Sequence, residues 1–188
     1  MNGGGLKGLF QIPELRKRVL FTLFILLVYR LGIYVPTPGV DSAKLTSLLG
    51  RGMGSLFDMV NMFSGGAMEQ FSVFALGIMP YINVSIAVQL LAAVLKPLQE
   101  LQEQGEHGRR IITKYTRLGT VGLALIHGFL IASWLESQGL VLNPGLQFKF
   151  ITSLTLTTGT IFIMWIGEQV NERGIGNGIS VIIMAGIV

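Results

Sequence analysis

No cysteine occurs anywhere in the 188 residues, which excludes disulfides, thiolate metal ligation and cysteine nucleophiles. Charge is scarce as well: Asp, Glu, Lys and Arg make up 13% of the chain, about half of the roughly 25% typical of a soluble domain. The shortage is concentrated in long blocks that carry no charge at all. With 51% hydrophobic residues and a mean hydropathy of +0.62, the chain is expected to be an all-α, polytopic membrane protein. Ser, His and acidic residues never converge in the sequence, and no metal-ligand spacing exists. An enzyme is therefore not expected, nor a cofactor. The net charge of +4 raises nucleic acid as a partner, but the basic residues lie between apolar blocks, where they act as topology signals and contacts to anionic lipid. No direct nucleic-acid binding is expected.

What is present is a series of apolar blocks. The first, 19–35, is interrupted only by Arg30 near its end, where a long side chain can snorkel to the interface, and Pro36-Thr37-Pro38-Gly39 stops it. Residues 40–55 read as a polar, glycine-bearing loop with a short amphipathic turn through Leu45, Leu48 and Leu49. A short apolar piece at 56–63 precedes Ser64-Gly65-Gly66, and then comes 71–95, 25 residues without a charge, long enough to cross about 30 Å of hydrocarbon as one helix. A half-length element beside a full span is the pattern of a lined pathway more than of an anchor. Blocks of 18 uncharged residues follow at 118–135, containing His127, and at 150–167. A last run, 179–188, stops while still apolar. The expectation is five transmembrane helices, the fifth cut short, plus one re-entrant half-helix at 56–68.

Ten of the fourteen Lys and Arg residues fall on one face of this arrangement: Lys7, Arg16, Lys17 and Arg18 before the first span, Lys96, Arg109, Arg110, Lys114 and Arg117 in the 96–117 loop, and Arg173 in the 168–178 loop. Only Lys44, Arg51 and Lys149 fall on the other. The bias predicts a cytoplasmic N-terminus and puts Tyr34 and Trp134 near the outer interface. The polar, glycine-rich start has no short apolar core before a cleavage site, so the first span is expected to serve as its own insertion signal.

Each motif has a bland reading beside its sharp one. Gly174-Ile175-Gly176-Asn177-Gly178 lacks the preceding strand that a phosphate-cradling loop requires and reads as a tight turn. The charged stretch through Glu100, Glu103, Glu106, Arg109, Arg110, Lys114 and Arg117 is either a solvated connector or a docking surface for a cytosolic partner. His127 has no second ionisable station in another span, so a neutral histidine hydrogen-bonded to a neighbouring helix is favoured over a proton relay. Asn83, placed at similar depth, is the expected partner. Gly77 and Pro80 kink or thin the 71–95 span. Ile78, Ile82 and Ile86 share a helical face, the pattern of ordinary packing.

Taken together, Pro13-Glu14-Leu15-Arg16-Lys17-Arg18, Pro36-Thr37-Pro38-Gly39, Met62-Phe63-Ser64-Gly65-Gly66-Ala67, Phe74-Ala75-Leu76-Gly77-Ile78-Met79-Pro80-Tyr81-Ile82, Tyr115-Thr116-Arg117, and Trp165-Ile166-Gly167-Glu168-Gln169 with the glycine-rich turn up to Ser180 resemble the bacterial SecY family, the central subunit of the protein-conducting channel. The resemblance covers essentially the whole chain in order and implies the N-terminal half of a pseudo-symmetric ten-helix channel.

It implies that Ile78, Ile82, Ile179 and Ile183 belong to an aliphatic pore ring, that 56–68 with Phe57, Met59, Val60, Met62 and Phe63 is a plug, and that Asn83 and His127 lie at a lateral gate. His127 departs from the glutamine expected there. Arg109, Arg110, Lys114 and Arg117 fall on the implied docking face for SecA or the ribosome. The further partners implied are SecE and SecG, signal sequences, nascent polypeptides and the lipid bilayer of the bacterial inner membrane. The function implied is passage of unfolded polypeptide across the bilayer and of membrane segments sideways into it. The alternative from the residues themselves is half of a secondary transporter with a broken-helix substrate site, against which stands the shortage of charge inside the spans. A membrane scaffold without transport would have no use for the half-helix.

Overall fold

The computed structural model describes residues 12–41, 44–45, 47 and 65–187. Among the described residues six helices of eight or more residues follow one another: α1 (Pro13–Ile33), α2 (Met79–Val94), α3 (Lys96–Glu103), α4 (Glu106–Ser137), α5 (Leu146–Arg173) and α6 (Gly178–Ile187). Among the described residues there is no strand, only two isolated antiparallel bridges, Pro36 with Ser72 and Val40 with Val141. By length and composition α4 and α5 can each cross a membrane, and α2 with α3 counts as a third span only if the bent pair is taken as one.

Local chemistry sets the ends. Pro13 opens α1, where its missing N–H is not needed, with Glu14 in the first turn and Arg30 in the last, each on the favoured end of the helix dipole. Pro97 has no N–H to continue the ladder of α2, and the chain turns through 99° at Leu95 into α3. The 96–117 stretch, expected as a loop, is instead mostly helical: α3 and the first three turns of α4 occupy it. Its Lys, Arg, Glu, Gln and Leu are good helix formers, and charge alone does not unwind a helix outside the bilayer. At 32 residues α4 is about 48 Å long, so roughly 18 Å of it extends past a hydrocarbon layer of about 30 Å.

The 71–95 segment is not one helix. Residues 71–78 form turns, and the helix starts only at Met79. Pro80 therefore does not kink a span; it sits in the first turn of α2, where proline is tolerated. The turns are buried, with Phe71, Ser72 and Phe74 to Ile78 all largely shielded. Most of their amides are satisfied from within the protein. Thr37 N–H donates to the Phe71 carbonyl and Val73 N–H to the Val35 carbonyl, both at 2.9 Å; Ser72 N–H reaches Ala67 O at 2.8 Å and Gly77 N–H reaches Phe74 O at 2.7 Å. Ser72 Oγ accepts from Phe74 N–H at 3.1 Å. Gly77 takes φ +55°, a conformation that costs glycine little.

α5 is the central element: 56% of its most apolar 18-residue window is buried, against 28% for α4. α4 and α5 form an antiparallel hairpin in which Gly128 lies against the backbone of Ser153, whose hydroxyl donates to the Leu125 carbonyl at 2.8 Å. Phe74 sits between α1 and α5, stacked on Tyr29 at 5.9 Å and on Phe162 at 6.0 Å, and Phe162 continues the stack to Trp165.

A side chain at Gly159 of α5 would run into the Val73 carbonyl oxygen, a backbone atom held by the turns. Gly159→Ala is expected to destabilise the fold by about 2 kcal/mol, read as a lower unfolding midpoint in detergent. Gly122→Ala on α4, with open space around it, should leave that midpoint unchanged or raise it slightly. Equal effects of the two substitutions would contradict the packing of 71–78 against α5.

Candidate functional site

The four isoleucines singled out in the sequence arise from two short stretches. Ile78 immediately precedes α2 and Ile82 lies one turn into it; Ile179 begins α6 and Ile183 lies one turn on. Ile78 is buried, and Ile82, Ile179 and Ile183 are half-buried. All four belong to or pack against one apolar cluster with Ile25, Tyr29 and Ile33 of α1, Phe74, Ile163, Ile166 and Val170 of α5, and Ile182 of α6. Two stretches a hundred residues apart in sequence thus pack into the same apolar cluster.

α6 is held there by its own start. Gly178 abuts the backbone of Gly167 in α5 so closely that no side chain fits. Asn171 Oδ1 accepts the Gly178 N–H at 2.7 Å, and Asn177 Oδ1 accepts the Ile179 N–H at 3.0 Å. The turn before α6 is tied back to α1: Thr22 Oγ1 accepts the Ile175 N–H at 3.2 Å, and Arg18 donates to the Gly174 carbonyl at 3.4 Å. The glycine-rich turn thus joins helices, and Gly178 is needed for close approach.

Asn83 and His127 are not brought together. Val84 of α2 packs on Gly119 of α4, and in that antiparallel register Asn83 is level with Thr120, about 10 Å along the axis from His127. Asn83 is exposed, His127 is half-buried, and no hydrogen bond joins them. The expectation of equal depth assumed that 71–95 was one helix. Because 71–78 is coiled into turns, Asn83 falls in the second turn of α2.

Arg109, Arg110 and Lys114 are exposed on the first turns of α4. Arg117 is engaged: its Nε donates to Glu168 Oε1 of α5 at 2.7 Å. At the other end of the same hairpin Lys149 Nζ stands 2.8 Å from Glu136 Oε2. Phe57, Met59, Val60, Met62 and Phe63 lie outside the described residues; of 56–68 only 65–68 are described, a turn in which Ala67 is fully buried. Phe74 and Glu168 were missed as structural centres although both stand in quoted motifs. Nothing in composition separates an aromatic that anchors a broken span from one that faces lipid.

Among the described residues, two helices long and apolar enough to cross a membrane, a bent helix pair and a buried non-helical stretch define a multi-pass helical membrane protein. The family model for SecY matches residues 72–188, and the chain belongs to the SecY family. It is 52% identical over 181 residues to the protein translocase subunit SecY of Escherichia coli (strain K12), covering 94% of this chain and 41% of that protein. To the protein translocase subunit SecY of Thermus thermophilus it is 48% identical over 184 residues, covering 95% and 42%. The chain thus spans about two fifths of the length of these curated relatives. Among solved structures it resembles Sec61 in the canine ribosome-channel complex from the endoplasmic reticulum, with a TM-score of 0.63 and 18% identity over 91% of this chain and 36% of that one. A structure described as that of a protein conducting channel gives the same TM-score and identity. At that identity both speak for the fold.

Cysteines at Ile82→Cys and Ile179→Cys, introduced into this cysteine-free chain, are expected to be bridged by a short bifunctional thiol reagent in native membranes. A protease cut in the 96–117 stretch should then leave the two pieces joined. Separation of the pieces would contradict the packing of both stretches into one cluster.

Proposed function

We propose that this chain forms one half of a protein-conducting channel that passes unfolded polypeptide across the bilayer and membrane segments sideways into it. The observation that carries the reading is the convergence of Ile78, Ile82, Ile179 and Ile183 on one apolar cluster in a chain of the SecY family. A narrow apolar ring holds water poorly and yields to a passing chain, so it blocks ions without recognising any particular side chain. Such a conduit performs no bond chemistry; energy comes from a motor, the ribosome or the membrane potential.

The remaining assignments follow from this reading. The N-terminus is cytoplasmic in the bacterial inner membrane, in accord with the Lys and Arg bias. The contact of Arg18 and Thr22 with the 174–175 turn supports a common face for the two. Arg109, Arg110 and Lys114, carried past the hydrocarbon on α4, form a docking face for SecA or the ribosome. SecE and SecG complete the assembly, 56–68 serves as the plug, and Asn83 and His127 contribute separately to the lateral gate.

Replacing Ile78, Ile82, Ile179 and Ile183 together by serine should raise the ion conductance of the complete channel in planar bilayers, since a polar ring wets. Serine at the exposed Leu130 and Leu154, which lie outside the isoleucine cluster, should leave it unchanged. Equal conductance from both sets would remove the pore assignment.

A further inference from the structure

Arg117 and Glu168 are 51 positions apart and share a hydrogen bond of 2.7 Å. Their place in the hairpin gives the pair its meaning. α4 and α5 are joined by a short loop only at the end where Ser137 leads to Leu146, and there Glu136 and Lys149 already close the helices together. At the opposite end no connector holds them. Arg117–Glu168 is the ion pair found there among the described residues.

Two further helices meet at the same point. Tyr81 of α2 is half-buried and packs against the cluster containing Ile163, Ile166 and Val170 of α5. The residue after it is Ile82. Glu168 in turn follows Gly167, whose backbone abuts Gly178 and which lies in van der Waals contact with Ile182 of α6, beside Ile179. Glu168 therefore stands one residue from the Gly167–Gly178 contact that seats α6, and Arg117 two residues from Gly119, on which Val84 of α2 packs.

We propose that Arg117 and Glu168 form a latch at the open end of the α4–α5 hairpin, beside the cluster on which Tyr81 packs, that sets the spacing of α2 and α6 and so how readily the isoleucine constriction opens. Arg117 is on this account a positioning residue, acting through Glu168, and not one of the docking cations. The pair is suited to the part. The Glu168 side chain is mostly shielded, at 19% exposure, while that of Arg117 is 50% exposed, so the bond is directional but of modest strength and can be exchanged for water when the helices part. A fully buried pair would be too costly to break within a working cycle.

The proposal rests on the channel reading, and its test separates the two. In the complete channel reconstituted into vesicles, the import of a precursor with a weakened signal sequence is measured relative to the same precursor with its signal intact. Arg117→Glu and Glu168→Arg are each expected to raise that ratio about fivefold, the size expected when a half-exposed charged contact biases a two-state equilibrium. The paired reversal, Arg117→Glu with Glu168→Arg, should bring the ratio back to that of the parent. If the single reversals fail to assemble, Arg117→Gln and Glu168→Gln decide the same ratio. Ratios unmoved by the single substitutions, or a paired reversal that behaves like the singles, overturn the latch. If Ile82 still touches a chain in transit when the ratio does not move, only the latch falls; if Ile82 touches no chain at all, the channel reading falls with it.

Discussion

An unpaired backbone amide or carbonyl in hydrocarbon costs several kcal/mol, and the architecture around residues 71–78 follows from that penalty. This stretch interrupts what would otherwise be a spanning helix. It is tolerated because most of its amides, and the carbonyls of Phe71, Ser72, Phe74 and Ile78, are taken up by Val35, Thr37, Ala67, Met68, the first turn of α2 and its own turns, between α1 and α5. The requirement propagates outward. α5 must present Gly159 where Val73 approaches, α1 must present Gly32 where the Phe74 ring lies, and the loop after α1 must run extended enough to bridge to Ser72.

Breaking the span has a functional corollary. A continuous helix would carry Ile78 and Ile82 past their neighbours on a straight face. Coiling 71–78 into turns shortens the path, so that α2 begins in the middle of the bundle with Ile78 at its threshold. The start of α6 arrives at the same level because Gly178 is pressed onto Gly167. On the proposed channel reading, an apolar constriction assembled from two helix starts needs no charged ligand and no metal, in keeping with a passage that takes many different chains.

Much of the helical plan was legible in the residues. The uncharged blocks 118–135 and 150–167 lie within α4 and α5, because a run of apolar residues that long has no other home. The errors share a cause: absence of charge reports burial and is silent about backbone shape. Residues 71–78 are as apolar as α2 and were read as its continuation, and the depth assigned to Asn83 failed with them. The reverse error fell on 96–117, where charge was taken for a loop although the residues are strong helix formers. Arg117 shows the limit for side chains: nothing in its spacing distinguishes it from Arg110 or Lys114, and only the fold reveals Glu168 beside it. The isoleucines read as ordinary packing until the family resemblance gave them a ring.

The central claim is that an unfolded chain passes the isoleucine cluster, and one measurement tests it most directly. With Ile82→Cys as the sole cysteine of the complete channel, a secretory precursor carrying a single cysteine is stalled in transit and the thiols are oxidised. The account predicts a covalent adduct that forms only while the precursor is engaged and whose yield varies with the position of the precursor's cysteine along the chain. No adduct at any position, with Ile82 reactive only toward neighbouring helices or lipid-borne reagents, would contradict the account and return the cluster to ordinary core packing.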